Sequence, residues 1–123
     1  MYHQILLHRL LDCIQLAKLN NWKQDGLLEF LKEKAIQMLA WLEAVTYTSG
    51  IIPMVNDCAF DIATESLKLV DYAKSLGLNW KPTSLSDSGY RMFKSEKYEL
   101  FVDIGNVGPI YQPGHVHSDT FNF

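Results

Sequence analysis

The chain has 123 residues, 48% of them hydrophobic, and a formal net charge of −3. That suits one ordinary folded domain with a real core rather than a disordered segment. It offers no basic patch for nucleic acid or an anionic membrane, and no apolar run approaches a membrane span. A polyanionic substrate stays compatible, because the charge of a site can oppose the net charge. Cys13 and Cys58 form no CxxC pair, which removes zinc-finger and thioredoxin readings; their apolar neighbours suggest buried free thiols. The opening run Met1 to Arg9 mixes histidines and arginine among its leucines and lacks the layout of a targeting segment.

Tyr2, Leu6, Leu10, Cys13 and Ala17 recur at steps of three or four, with Leu7, Leu11 and Ile14 beside them. This predicts an amphipathic helix over residues 2–20, ended by Asn20-Asn21. His3 and His8 fall in its first turns and are expected to be solvated or to face a partner. A second helix is predicted from about Asp25 to Val45, with Leu28, Leu31, Ala35, Met38, Leu42 and Val45 as its inner line. A short polar link should fold the two into an antiparallel hairpin. Thr48-Ser49-Gly50 breaks the pattern, and the mostly apolar loop from Ile51 to Asp57 should lie beneath another element. A third helix is expected from Thr64, as N-cap, to a stop at Gly77, with Leu67, Val70, Ala73 and Leu76 inward.

The period then changes from 3.6 to 2. Residues 89–94 and 97–104 read as two strands around Ser95-Glu96, with Tyr98, Leu100, Val102 and Ile104 sharing one face. A loop over 105–114 leads to a last strand. There the alternation sends His115, His117, Asp119, Phe121 and Phe123 to one face. Two imidazoles and a carboxylate side by side can ligate a metal, position an anion or move a proton. The fold class is therefore α+β, with a helical part over 1–84 and a β part over 85–123. No cap precedes Tyr2 and the strands stop early, so both ends are expected to be truncations.

Three segments carry a resemblance. Met1-Tyr2-His3-Gln4-Ile5-Leu6-Leu7, Asp87-Ser88-Gly89-Tyr90 and Tyr111-Gln112-Pro113-Gly114-His115-Val116-His117-Ser118-Asp119-Thr120 resemble the heparinase II/III-like polysaccharide lyases. The last is close to that family's Gly-His-x-His-x-Asp signature. The resemblance implies the final helices of an (α/α) toroid followed by the first strands of an antiparallel β-sandwich, with a cleft between them. It implies cleavage of a uronic-acid polysaccharide, such as a glycosaminoglycan or alginate, by β-elimination. It maps Tyr2 to the proton-transferring tyrosine and His115 to the catalytic histidine, a base or carboxylate-neutralising group. His117 maps to a ligand of a structural zinc, expected to bind weakly here. Tyr111 is expected to line the substrate cleft, with Asn56 and Asp57 from their loop. A longer parent would be periplasmic or secreted. Ile110 departs from the pattern, since an acidic residue is common there in the family, and the family's upstream asparagine or histidine has no counterpart.

The chemistry explains why these residue types matter. The proton at C5 of a uronate is weakly acidic, so the adjacent carboxylate must be neutralised while a base removes the proton. An acid must then protonate the departing glycosidic oxygen. A tyrosine with its ordinary pKa of about 10 is mostly protonated at pH 7, and acts as a base only beside positive charge or hydrogen-bond donors. The whole reading needs Tyr2 and His115 to line one groove, and the isolated chain is expected to be inactive. A noncatalytic remnant or carbohydrate-binding module is the alternative. A small cupin-like metal protein would also carry His-x-His on a strand, but the two leucine-rich helices argue against it.

Overall fold

A computed structural model describes residues 1–21, 26–106, 111 and 123. Three helices come first, α1 (Tyr2–Leu19), α2 (Leu27–Val45) and α3 (Ser66–Ser75), followed by strands β1 (Tyr90–Lys94) and β2 (Glu99–Asp103). The strands form an antiparallel pair. The chain is thus α+β, helices first, as expected.

The helices pack through a leucine-rich core. From α1 it takes Leu7, Leu11, Ile14 and Ala17; from α2 Leu28, Ala35, Leu39 and Leu42; from α3 Leu69 and Ala73. The α1 stripe is rotated by about one residue from the expected one. Tyr2, Leu6 and Cys13 are exposed, and Cys58 is only partly covered, so neither thiol is buried. Apolar residues cover much of this helix's circumference, so periodicity alone leaves the buried line underdetermined. In α2 the expected line holds at Leu28, Ala35, Leu42 and Val45, but Leu39 and Ala40 are buried too. The chain beyond α3 runs back along α2 and covers it from a second side. Trp80 Nε1 donates to Glu43 Oε2 at 2.6 Å, and the Thr83 amide donates to the Ala40 carbonyl at 3.4 Å.

Side-chain bonds fix the helix directions. His3, at the start of α1, meets the Met38 carbonyl in the second half of α2, so these two run antiparallel. Gln4 meets Thr64 and Ser66 before and at the start of α3. Lys18, at the end of α1, donates to the Leu76 carbonyl at the end of α3, at 2.8 Å. Helices α1 and α3 are therefore parallel, and the lysine places its cation at a helix C-terminus.

Helix α3 begins one residue later than expected. Its N-cap position is Glu65, without a side-chain cap, because the Thr64 hydroxyl is bonded to His8 Nδ1 instead, at 3.0 Å. Its inner line is Ser66, Leu69, Ala73 and Leu76, while Leu67 is exposed. Its stop is as expected: Gly77 takes φ +79°. The Gly77 amide reaches the Lys74 carbonyl at 2.9 Å and the Leu78 amide the Ala73 carbonyl at 3.1 Å. This paired arrangement satisfies the last carbonyls, and buried Leu78 seals it against the core.

One polar knot lies inside. Gln4 Nε2 donates to Ser66 Oγ at 3.3 Å and to the Thr64 carbonyl at 3.2 Å. Thr46 Oγ1 donates to the Leu42 carbonyl at 2.6 Å and lies 3.4 Å from Ser66 Oγ. All three side chains are buried, and no buried side-chain nitrogen or oxygen among the described residues lacks a partner.

The hairpin pairs Tyr90 with Asp103, Met92 with Phe101 and Lys94 with Glu99. Its turn takes four residues, Ser95 to Tyr98, rather than two, with the Ser95 amide donating to the Tyr98 carbonyl at 2.9 Å. Phe101 and Asp103 are buried, whereas Tyr98, Leu100 and Ile104 are exposed. The expected apolar face of β2 is thus the outer one. The aromatic pair Tyr90–Phe101, with centroids 5.0 Å apart, selects the opposite parity and carries Asp103 in with it. Asp103 Oδ1 accepts the Gly105 amide at 2.8 Å. Gly89 is required here: at φ +78° its Cβ would meet Gly105 Cα at 2.6 Å.

Glu99 clamps the hairpin to the helical layer. Both its oxygens accept the Thr48 amide at 3.0 Å, and Oε1 also accepts the Thr48 hydroxyl at 2.8 Å. Lys94 lies 3.6 Å from Glu99 and donates to the Thr46 carbonyl at 2.7 Å. The Thr48 hydrogen bonds, foremost, and the Lys94 charge hold the Glu99 carboxyl below its usual range, against a smaller opposing effect of burial.

Two outcomes check this account. Truncating fully buried Leu11 to Ala should cost about 2–5 kcal/mol in a urea titration; a loss comparable to that of exposed Leu6→Ala would place the core elsewhere. The clamp is favourable above the ordinary carboxylate value and lost as pH falls through the lowered folded value. Glu99→Gln should therefore lower the melting of the near-ultraviolet aromatic dichroism more than that of the helical far-ultraviolet signal. Equal shifts would mean the carboxylate does not single out the hairpin.

Candidate functional site

A cavity of ≈190 Å³ opens where the first turn of α1, the second half of α2, the 52–58 loop and the hairpin converge. Its walls are mostly apolar. Val45, Ile52 and Pro53 supply the aliphatic part, and an aromatic series runs along the rest. His3 lies over Trp41 at 4.7 Å, Trp41 sits 6.1 Å from Tyr90, and Tyr90 leads to Phe101. Aromatic faces with a few convergent polar groups make a surface that can hold a ring bearing hydroxyls. The volume lies below the ~300–1,000 Å³ of pockets that engulf drug-sized ligands. It suits one sugar unit or the end of a chain.

The polar groups come from two sides. Tyr2 lines the cavity and stays 65% exposed, as a residue of its rim. Asn56 and Asp57 line it from the loop. Asn56 takes φ +53°, a left-handed conformation that asparagine tolerates better than most residues. Its Nδ2 donates to the Tyr90 hydroxyl at 3.2 Å, tying the loop to the hairpin. The apolar loop thus has a reason for its composition: Pro53 is buried and Ile52 packs on the core, while its far end presents an amide and a carboxylate.

Tyr2, Asn56 and Asp57 are therefore brought together. Tyr111 is 87% exposed and is not part of this cavity's lining. His115 and His117, with Asp119 and the strand expected to carry them, lie outside the described residues. Among the described residues no group of three histidine, cysteine, aspartate or glutamate side chains is placed to hold a metal. The described part of the chain thus supplies no tetrahedral zinc set.

Both N-terminal histidines depart from expectation, being packed rather than free in solvent. His8 Nδ1 is bonded to Thr64 Oγ1, and its ring meets Tyr72 edge-on at 6.1 Å. The Tyr72 hydroxyl lies within hydrogen-bonding reach of Asp12 Oδ1 and Gln15 Oε1. Burial and then Asp12 push its phenol up. His3 Nε2 lies 2.9 Å from the Met38 carbonyl. Burial pulls the imidazole below its ordinary 6.5, outweighing that hydrogen bond, and the nearby N-terminal ammonium pulls the same way. Nothing in the sequence separates His3 from a solvated histidine. Its burial follows from the rotation of α1 that turns this residue toward Trp41. Trp41 and Phe101 likewise carry no signal of their own, since large aromatics read equally well as core.

The sequence model of the family described as Heparinase II/III-like, C-terminal matches residues 78–123. That span holds the hairpin and the His-x-His run, and the match supports the heparinase II/III-like resemblance of this part of the chain. No curated protein and no solved structure matches the chain.

The lowered His3 value gives a signed pH dependence. Below pH 6.5 the unfolded chain takes up a proton that the folded ring resists, so stability is full above that value and is lost as pH falls toward the folded pKa. His3→Phe should flatten this part of a plot of urea midpoint against pH. An unchanged slope in the variant would assign the dependence to other groups.

Proposed function

We propose that this chain forms part of the cleft of a heparinase II/III-like polysaccharide lyase, where helical and β layers meet and a uronic-acid polysaccharide is cleaved by β-elimination. One observation carries the reading: Tyr2 and the Asn56-Asp57 pair, far apart in the chain, share one aromatic-walled cavity bordered by the hairpin. The family match over residues 78–123 supports it independently.

In this reading the cavity holds the sugar ring beside the bond to be broken. Trp41 and Tyr90 offer apolar faces to the pyranose, and Asn56 and Asp57 exchange hydrogen bonds with its hydroxyls. Tyr2, at the mouth, transfers a proton between C5 and the departing glycosidic oxygen. His115 acts as its partner, as base or as the group that neutralises the uronate carboxylate. Tyr111 contacts the polymer further along. Zinc is a structural ion ligated by His117 and takes no part in the elimination. The acidic polysaccharide is the partner, and a longer parent is periplasmic or secreted. Elimination needs base, acid and carboxylate neutralisation together, and the isolated chain binds without turning over.

The test uses the chain itself with unsulfated glucuronate tetrasaccharide and with alginate tetrasaccharide. Two-dimensional NMR should show weak binding, with shifts concentrated on Tyr2, Trp41, Asn56 and Tyr90. Absorbance should show no unsaturated uronate product. Shifts confined to surfaces remote from the cavity, or none, would sink the saccharide assignment. Robust turnover would refute the claim of inactivity.

A further inference from the structure

We infer that His3 is a ligand-facing hydrogen-bond acceptor of this cavity, its Nδ1 lone pair directed to a hydroxyl of the bound sugar while the Met38 carbonyl holds Nε2. The inference rests on the saccharide reading of the same cavity and adds a residue to it.

The tautomer follows from the acceptor on the far side. A backbone carbonyl cannot donate, so the 2.9 Å contact with Met38 O requires the proton on Nε2. In the neutral ring Nδ1 then carries only a lone pair. The ring is kept neutral by its burial, in the direction already described. Its face is fixed by the contact with Trp41, so the lone pair has a defined direction.

The same nitrogen is open to solvent. Nε2 has the one hydrogen bond of this side chain, and no half-buried or buried side chain among the described residues has an enclosed nitrogen or oxygen without a partner. Nδ1 therefore reaches solvent, and the residue lines the cavity beside Tyr2. A pre-oriented acceptor on an aromatic wall complements the donor sites of a pyranose, beside Asn56, whose Nδ2 is committed to the Tyr90 hydroxyl and whose Oδ1 is a second acceptor. A structural histidine at this place would need only its Nε2 bond and its stacking.

Two substitutions separate the nitrogens. His3→Gln keeps an N–H able to reach Met38 O and removes the acceptor at the Nδ1 position. His3→Asn keeps an oxygen near the Nδ1 position and gives up the carbonyl contact. With unsulfated glucuronate tetrasaccharide as probe, His3→Gln should weaken binding by about 3- to 10-fold, the effect of one neutral hydrogen bond, and His3→Asn should recover part of it. Nitrogen-15 NMR of the wild-type ring should show the proton on Nε2. Unchanged binding in His3→Gln, or a ring protonated on Nδ1 in the free chain, overturns the inference and leaves the cavity's saccharide role standing. A wild-type chain that does not bind the tetrasaccharide overturns both.

Discussion

Three helices meet at one buried hydroxyl. Ser66 lies within hydrogen-bonding distance of Gln4 of α1 and of Thr46 at the end of α2, and all three are closed off from water. A buried polar group left without a partner costs about 1–3 kcal/mol, so the hydroxyl tolerates only packings that keep both neighbours in place. Leucines supply most of the attraction but little direction. The knot sets the rotation of α1, and that rotation turns His3 onto Trp41 and leaves Tyr2 at the cavity mouth. The site is thus a consequence of a constraint on Gln4, which borders the same cavity.

Much of the architecture could be read from the chain because strong local signals agree with it. The end of α1, the αL stop at Gly77 and the change to period two near residue 89 are all punctuated by residues, asparagine or glycine, that tolerate a left-handed backbone. Faces were harder. Helix α1 has apolar residues almost all round, and its true inner line contains Gln4, which a hydrophobic pattern excludes. In β2 the alternation of Tyr98, Leu100, Val102 and Ile104 is real, yet it lies outward. Of the apolar residues in β2 only Phe101 belongs to the opposite parity, and its contact with Tyr90 depends on a residue from another strand. Thr64 has the chemistry of a cap but bonds to His8, a competition invisible until both are placed.

The site divides along the same line. The resemblance points to Tyr2, and Asn56 and Asp57 are candidates from their loop, whereas the cavity that all three line depends on long-range packing no motif encodes. Trp41 and His3 had no signal of their own. A tryptophan in an amphipathic helix reads as core, and it is core on one face while forming a wall on the other.

Among the described residues the sheet has two strands, fewer than it needs for independent stability in water. It borrows stability through Glu99 and Lys94, which bind Thr48 and Thr46, whereas the opposite wall rests on the leucine core. The two sides of the cavity therefore belong to cooperative units of unequal strength. In amide hydrogen exchange, residues 90–103 should open before α1 and α2 do. A bound ligand that touches both sides slows that opening most, acting as a removable third support for the weaker wall.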